Sequence, residues 1–294
     1  MTLKEKIQSG QFVYCAEMTP PRSPNPAVIE KKSRHFKGLV DAVNVTDNQS
    51  AVVRMSSIAA SKMLMDSSIE PIMQMTCRDR NRIAIESDLI GAAALGIENI
   101  LCLTGDHQSF GDDPEARGVF DLDSMQLIAA VRHMNAGVLI SGREMKRPTN
   151  FFIGGAANPF SKPMEMRVVK LRKKIEAGAK FIQTQPVFDL EIFSRWMDLI
   201  VAAGLHERVA ILAGIMPVKS VRILKHMQLN IPGICINQSY LDRMTHTNDP
   251  LEEGLTLAVE IAHEVKKMKG VRGLHLLPVT WEQIVPDLMA EIRS

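Results

Sequence analysis

Four short stretches of the chain place reactive side chains where apolar runs give way to Gly, Pro or polar residues. They are CAEMTPP at 15–21, LTGD at 103–106, IGGAANPF at 153–160 and FIQTQPVFD at 181–189. Glu17 closes the apolar run FVYCAE. A carboxyl partly buried there has its charged form disfavoured and its pKa raised, which suits proton delivery near neutral pH. The same carboxylate could instead cap the turn at Pro20-Pro21, and the residues alone leave both roles open. Asp106 follows Gly105, whose missing side chain lets a ligand approach the backbone. Asp106 either accepts hydrogen bonds from a ligand or opens the following loop as an Asx turn. Gln185 ends its apolar run with an amide that both donates and accepts, suited to the edge of a heterocycle or to a neighbouring backbone group.

These groups need elements to position them. Strands are expected at 12–17, 42–46, 70–76, 98–103, 150–155, 180–185, 208–213 and 272–277, mostly as continuous apolar runs of the kind covered on both faces. Amphipathic helical segments lie between them at 26–38, 51–65, 80–95, 123–136, 163–177, 189–203, 218–228 and 249–269. Asp123-Ser124 and Asp189 read as helix starts, and Gly96, Gly137, Gly178 and Gly204 stand just past helix ends. Eight strand–helix repeats without a linker predict an α/β fold, a (βα)8 TIM barrel forming one domain over 1–294. A short extra helix is expected near 233–243. The open doubly wound sheet is the rival architecture, and no GxGxxG follows any strand. In a barrel, all four reactive stretches sit at the carboxyl ends of strands and face one rim. The polar loop 104–122 is long enough to be functional and is expected to cover part of that site.

Composition narrows the function classes. The 35 basic and 33 acidic residues leave a net charge of +2, so no general attraction to nucleic acid or membranes is expected. The N-terminus lacks the apolar core of a signal peptide, and no apolar run reaches spanning length, which predicts a cytoplasmic protein. The four cysteines are isolated, and the histidines lack HxH or HExxH spacing, so neither disulfides nor a bound metal is expected. His107 reads as a solvent-facing loop residue. The 18 methionines read as core filling where aromatics are scarce.

In order and spacing, these residues resemble the flavin-dependent methylenetetrahydrofolate reductases over about residues 12–280. The likeness is carried by Glu17 with Pro20-Pro21, Gly105-Asp106, and Ala156-Ala157 with Pro159. It continues through Lys173-Lys174 before Ala177-Gly178-Ala179, Thr184-Gln185 with Phe188-Asp189, and Gly214-Ile215 with Pro217-Val218. The resemblance implies a (βα)8 flavoenzyme that reduces 5,10-methylenetetrahydrofolate to 5-methyltetrahydrofolate, with hydride from a flavin because no side chain donates one. It makes Glu17 the acid that opens the imidazolidine ring, with Glu17, Asp106 and Gln185 on the folate. It places Thr46, Gln74, Thr104, Gly105, Asp106, Phe120, Ala156, Ala157, Asn158, Lys173 and Lys174 along the flavin.

Several positions depart from the family pattern. Thr104 stands in place of an arginine, Gln74 of a histidine and Asn158 of a tyrosine. Arg167 and Lys170 replace an acid and an amide. These changes put the usual diphosphate contact in doubt, so FMN is considered beside the family's FAD. Electrons are expected from NAD(P)H or from an accessory iron–sulfur protein, and association with itself or with a partner subunit is expected. The rival reading is a non-catalytic flavin- or folate-binding subunit of a larger electron-transfer complex.

Overall fold

All eight apolar runs form strands, and they pair in chain order. A computed structural model describes residues 1–231 and 233–294. The strands are β1 (Val13–Met18), β2 (Ala42–Val45), β3 (Pro71–Thr76), β4 (Asn99–Leu103), β5 (Phe152–Ala157), β6 (Phe181–Pro186), β7 (Ala210–Ile215) and β8 (Val271–Leu276). All neighbours are parallel, and β8 returns to β1, closing the barrel. Closure removes the edges that an open sheet would leave unpaired, and the doubly wound alternative is excluded.

The helices are α1 (Leu3–Gln8), α2 (Pro26–Ser33), α3 (Ser57–Asp66), α4 (Arg82–Ala94), α5 (Ser124–Asn135) and α6 (Met164–Ala177). They continue with α7 (Leu190–Ala202), α8 (Val221–Asn230), α9 (Gln238–His246), α10 (Pro250–Lys267) and α11 (Val285–Arg293). The cap signals act as written. Asp123 forms a capping box with Gln126, Asp189 accepts from the Ile192 N–H, and the four helix-ending glycines all have positive φ. The extra helix near 233–243 is α9, displaced a few residues along the chain.

Three differences have local causes. The segment read as helical from 51 begins only at Ser57. Asn48, Ser50 and Ala51 adopt left-handed φ of 47°, 56° and 58°, which no α-helix accommodates. The helix expected over 26–38 ends at Ser33, after which the chain turns. Helices α1 and α11 lie outside the eight amphipathic segments. Helix α1 has only six residues and is held by tertiary contacts: the Leu3 N–H donates to Glu70, and the Leu3 side chain is wholly buried.

Two apolar layers result. The larger fills the space between strands and helices. The smaller lies inside the barrel, where Cys15, Ala42, Ile72, Phe152, Phe181 and Leu212 pack with Leu3 of α1. Phe152 and Phe181 stack at 5.4 Å, and a Cβ on Gly154 would come within 2.2 Å of the Phe181 ring. The lower lumen is therefore a packed core, and the cavity at the carboxyl ends of the strands opens above it. No helix among the described residues is long and apolar enough to cross a membrane.

Candidate active site

Successive inward positions on a strand are two residues apart, and on three strands the residue above a lumen packing group lines the cavity. Cys15 is followed by Glu17, Ile72 by Gln74 and Phe181 by Gln183. Together with the ends of β4, β5 and β8 they line a cavity of about 260 Å³ at the carboxyl rim. Glu17, Asp106 and Gln185, drawn from three separate segments, all line it.

Glu17 is 7% exposed. Its Oε2 accepts from Gln74 Nε2 at 3.1 Å and its Oε1 from Gln49 Nε2 at 3.2 Å. Burial pushes its carboxyl up from 4.5 to about 7; the two amide hydrogen bonds act in the opposite direction, and the charge of Glu282 adds to the rise. His275, on β8, brings Nε2 to 3.8 Å from Glu17 Oε2. Burial lowers its pKa to about 3, so the ring is neutral at working pH. Asn44 Nδ2 lies 3.3 Å from Nδ1, and with the amide donating there the ring proton sits on Nε2, facing the carboxyl. A neutral ring avoids the strong downward pull that an imidazolium would exert on Glu17. The turn-capping alternative for Glu17 finds no support in these contacts, since its hydrogen-bond partners are the side chains of Gln49 and Gln74 and not the Pro20-Pro21 turn.

Asp106 reaches the rim through Gly105, whose φ of 95° and close approach to Thr76 and Arg78 would strain any side chain there. One Asp106 oxygen accepts from the Ser50 N–H at 3.0 Å, and the other carries no hydrogen bond among the described residues. Arg78, 2% exposed, donates to the backbone oxygens of Asp106 and Asn48. Asp47 beneath it is paired with Arg80 at 2.7 Å and accepts from Thr76. This buried ionic layer fastens the loops after β2, β3 and β4 to one another. Part of loop 104–122 is fastened too, because Asp112 accepts from the Val53 N–H and pairs with Arg22.

Gln185 lies within a register shift between β6 and β7 that runs from Gln183 to Pro186. There the Gly214 N–H donates to the Thr184 hydroxyl, and a Cβ on Gly214 would sit 2.7 Å from two β6 carbonyl oxygens. Irregularities of this kind re-aim a side chain, and Gln185 stands exposed between two cavities.

The second cavity, of about 370 Å³, adjoins the first through Leu103, Thr104, Ala156 and Gln185. Ala157, Asn158, Arg167, Lys170 and Lys174 line its outer part. Lys174 is half-buried and donates to the Ala156 oxygen at 2.6 Å, with desolvation lowering its pKa. Thr104 accepts from the Ser124 N–H at 3.1 Å, so it helps hold the start of α5.

Some expected positions fall outside the cavities. Thr46 is fully buried at the end of β2 and lines neither. Phe120 is half-buried in loop 104–122, and Lys173 is exposed on α6, both away from the lining. His107 is exposed and bonds to Ser109. Gln49, Arg78, Gln183 and His275 were not singled out by the sequence, yet all four line the central cavity. Among the described residues, no group of three His, Cys, Asp or Glu is placed to hold a metal.

The methylenetetrahydrofolate reductase family model matches residues 2–293. A probable methylenetetrahydrofolate reductase (NADPH) of Caenorhabditis elegans is 25% identical, over 99% of this chain and 43% of that protein. Methylenetetrahydrofolate reductase 1 of Schizosaccharomyces pombe is 28% identical, over 77% of this chain and 36% of that one. The chain thus spans less than half the length of these relatives. The 5,10-methylenetetrahydrofolate reductase of Pectobacterium carotovorum subsp. carotovorum is 29% identical, over 70% of this chain and 64% of that protein. Among solved structures, an uncharacterized Clostridium thermocellum protein that binds two copies of 5-methyl-5,6,7,8-tetrahydrofolic acid superposes with a TM-score of 0.71. It is 16% identical and is matched over 97% of its length and 99% of this chain, a likeness of fold. With the match running from the second residue almost to the last, this chain belongs to the methylenetetrahydrofolate reductase family.

Proposed function

We propose that this chain reduces 5,10-methylenetetrahydrofolate to 5-methyltetrahydrofolate with the help of a bound flavin nucleotide. The observation that carries the reading is the convergence of Glu17, Asp106 and Gln185 on one cavity. A flavin nucleotide fits the residues present. The central cavity sets the apolar side chains of Leu101, Leu103 and Leu277 and several amides beside its charged groups, a mixture suited to a fused polar ring, and Arg167, Lys170 and Lys174 in the adjoining cavity suit a phosphate. A reduced flavin held there supplies the hydride that none of the chain's own groups can give.

The chain's own groups do the rest. Glu17 is protonated near neutral pH and delivers its proton to a nitrogen of the imidazolidine ring. The adjacent C–N bond breaks, leaving the iminium carbon that accepts the hydride. Gln49, Gln74 and neutral His275 orient the carboxyl without fixing it in its charged form. Asp106 accepts from the pterin's amino edge, and Gln185 pairs with it from the opposite rim. Thr104 lacks the charge to bind a diphosphate, so the basic side chains of α6 take the phosphate; this accommodates FMN as well as FAD. Electrons arrive from NAD(P)H or from an iron–sulfur partner.

A second reading draws on the Clostridium thermocellum protein and its two folates: the two adjoining cavities would hold two folate molecules and no flavin. One experiment separates the readings. The purified protein is extracted for FAD or FMN, loaded with each if colourless, and bleached anaerobically with NADH, NADPH or reduced viologen. 5,10-Methylenetetrahydrofolate is then added. Recovery of the oxidised flavin with formation of 5-methyltetrahydrofolate is expected. A protein that binds folate yet can be loaded with neither flavin would overturn the reductase reading in favour of the second.

A further inference from the structure

The inward positions of β6 form a short ladder: Phe181 in the packed floor, Gln183 above it and Gln185 at the rim. Gln183 is 2% exposed, and neither its Oε1 nor its Nε2 finds a partner among the described residues. Buried amides are almost always paired. Gln49 and Gln74 donate to Glu17, and Asn44 bonds to His275 through Nδ2 while its Oδ1 has no partner among the described residues; Gln183 differs in having neither end of its amide paired. The strand neighbours of Gln183 are Ala156 on β5 and Leu212 on β7, whose side chains carry no polar atom. The partner of this amide must therefore come from whatever enters the cavity.

The amide presents a carbonyl acceptor beside an N–H donor. A phosphate, carboxylate or isolated carbonyl would engage the donor alone. Both are satisfied together by a ring edge with adjacent N–H and C=O groups, through two parallel hydrogen bonds. Resting on the functional reading above, we propose that Gln183 is a binding and specificity-determining residue that reads the N–H/C=O edge of a fused heterocycle at the floor of the site. The flavin's pyrimidine ring and the pterin's lactam both carry that edge, so the chemistry is common to two ligands and the experiment must separate them.

Full-length Gln183→Leu and Gln183→Asn are titrated with FAD, FMN, 5-methyltetrahydrofolate and p-aminobenzoylglutamate, which lacks the pterin. Thermal unfolding establishes that each variant is folded. Leucine removes the amide and asparagine withdraws it by one methylene, so the second variant serves if the first does not fold. The ligand whose edge is read should bind roughly 10- to 100-fold more weakly, the scale of two lost hydrogen bonds. A loss for the flavins alone assigns the edge to flavin. A loss for 5-methyltetrahydrofolate alone, with p-aminobenzoylglutamate unchanged, assigns it to the pterin. Unaltered affinities for all four ligands overturn the proposal, as does an equal loss for all four, which marks general damage. If the wild-type protein itself binds neither flavin nor folate, the functional reading fails first and this assignment fails with it.

Discussion

The lower and upper halves of the barrel lumen are built on the same strands, often two residues apart, and they do opposite things. Below, Cys15, Ala42, Ile72 and Phe181 pack into a dry floor against α1. Above, Glu17, Asn44, Gln74 and Gln183 bury a carboxyl and three amides. Apolar groups in the floor gain free energy by leaving water. Polar groups above lose hydration, and Glu17 and Gln183 are incompletely repaid by the protein. The floor's stability is what allows the site to hold an acid in its neutral form. The pKa of Glu17 is raised because the layer beneath and around it excludes solvent.

Substitutions in each half should therefore fail in different ways. On the proposed function, the largest effect is expected above: Glu17→Gln should bind flavin as the wild type does and lose turnover of methylenetetrahydrofolate by a factor on the order of 10² to 10⁴. Steady-state assays at neutral pH measure this, and unchanged turnover would remove the acid role. Next comes the floor. Phe181→Ala should cost roughly 3–5 kcal/mol in denaturant unfolding, with ligand affinity of the folded protein retained. A cost below about 1 kcal/mol would mean that the floor collapses easily and is not the rigid support described.

The smallest effect sharpens the contrast through pH. Folded Glu17 holds its proton up to about pH 7, whereas the unfolded chain releases it near 4.5. The native state thus binds more protons across that window, and the contribution of Glu17 to stability falls as pH rises through it. The full change is on the order of 3 kcal/mol. Glu17→Gln has no such proton, so its stability relative to wild type should climb between pH 4.5 and 7 and then level off. A difference that stays flat with pH would mean that Glu17 ionises as readily inside the barrel as outside it.

The strands were readable because most are continuous apolar runs, and the helix starts because Asp123 and Asp189 carry their own capping chemistry. Glu17 stood out since a carboxylate ends an apolar run. Gln183 and His275 did not. Strands buried on both faces show no alternation, so nothing in FIQTQ says whether Gln183 or Thr184 faces the lumen. The same holds for His275 within GLHLL. Gln49 and Arg78 were invisible for another reason: left-handed backbone at Asn48 and Ser50 and a buried ionic layer bring them to the rim. Lys174 lines the second cavity while its neighbour Lys173 faces solvent, a difference set by how α6 lies on the barrel.

By itself the sequence determined the strand–helix alternation, the closed barrel it favours, and the family motifs at the strand ends, because these depend on local hydrophobic runs, caps and spacing. Tertiary structure alone decided which parity of each strand faces inward and which loops meet over the rim. It also decided that Glu17, surrounded by two glutamines and a neutral histidine, has its pKa raised to about 7. The physical reason is that burial and proton affinity are properties of the assembled surroundings: residues from β1, β3 and β8 become neighbours only when the barrel closes.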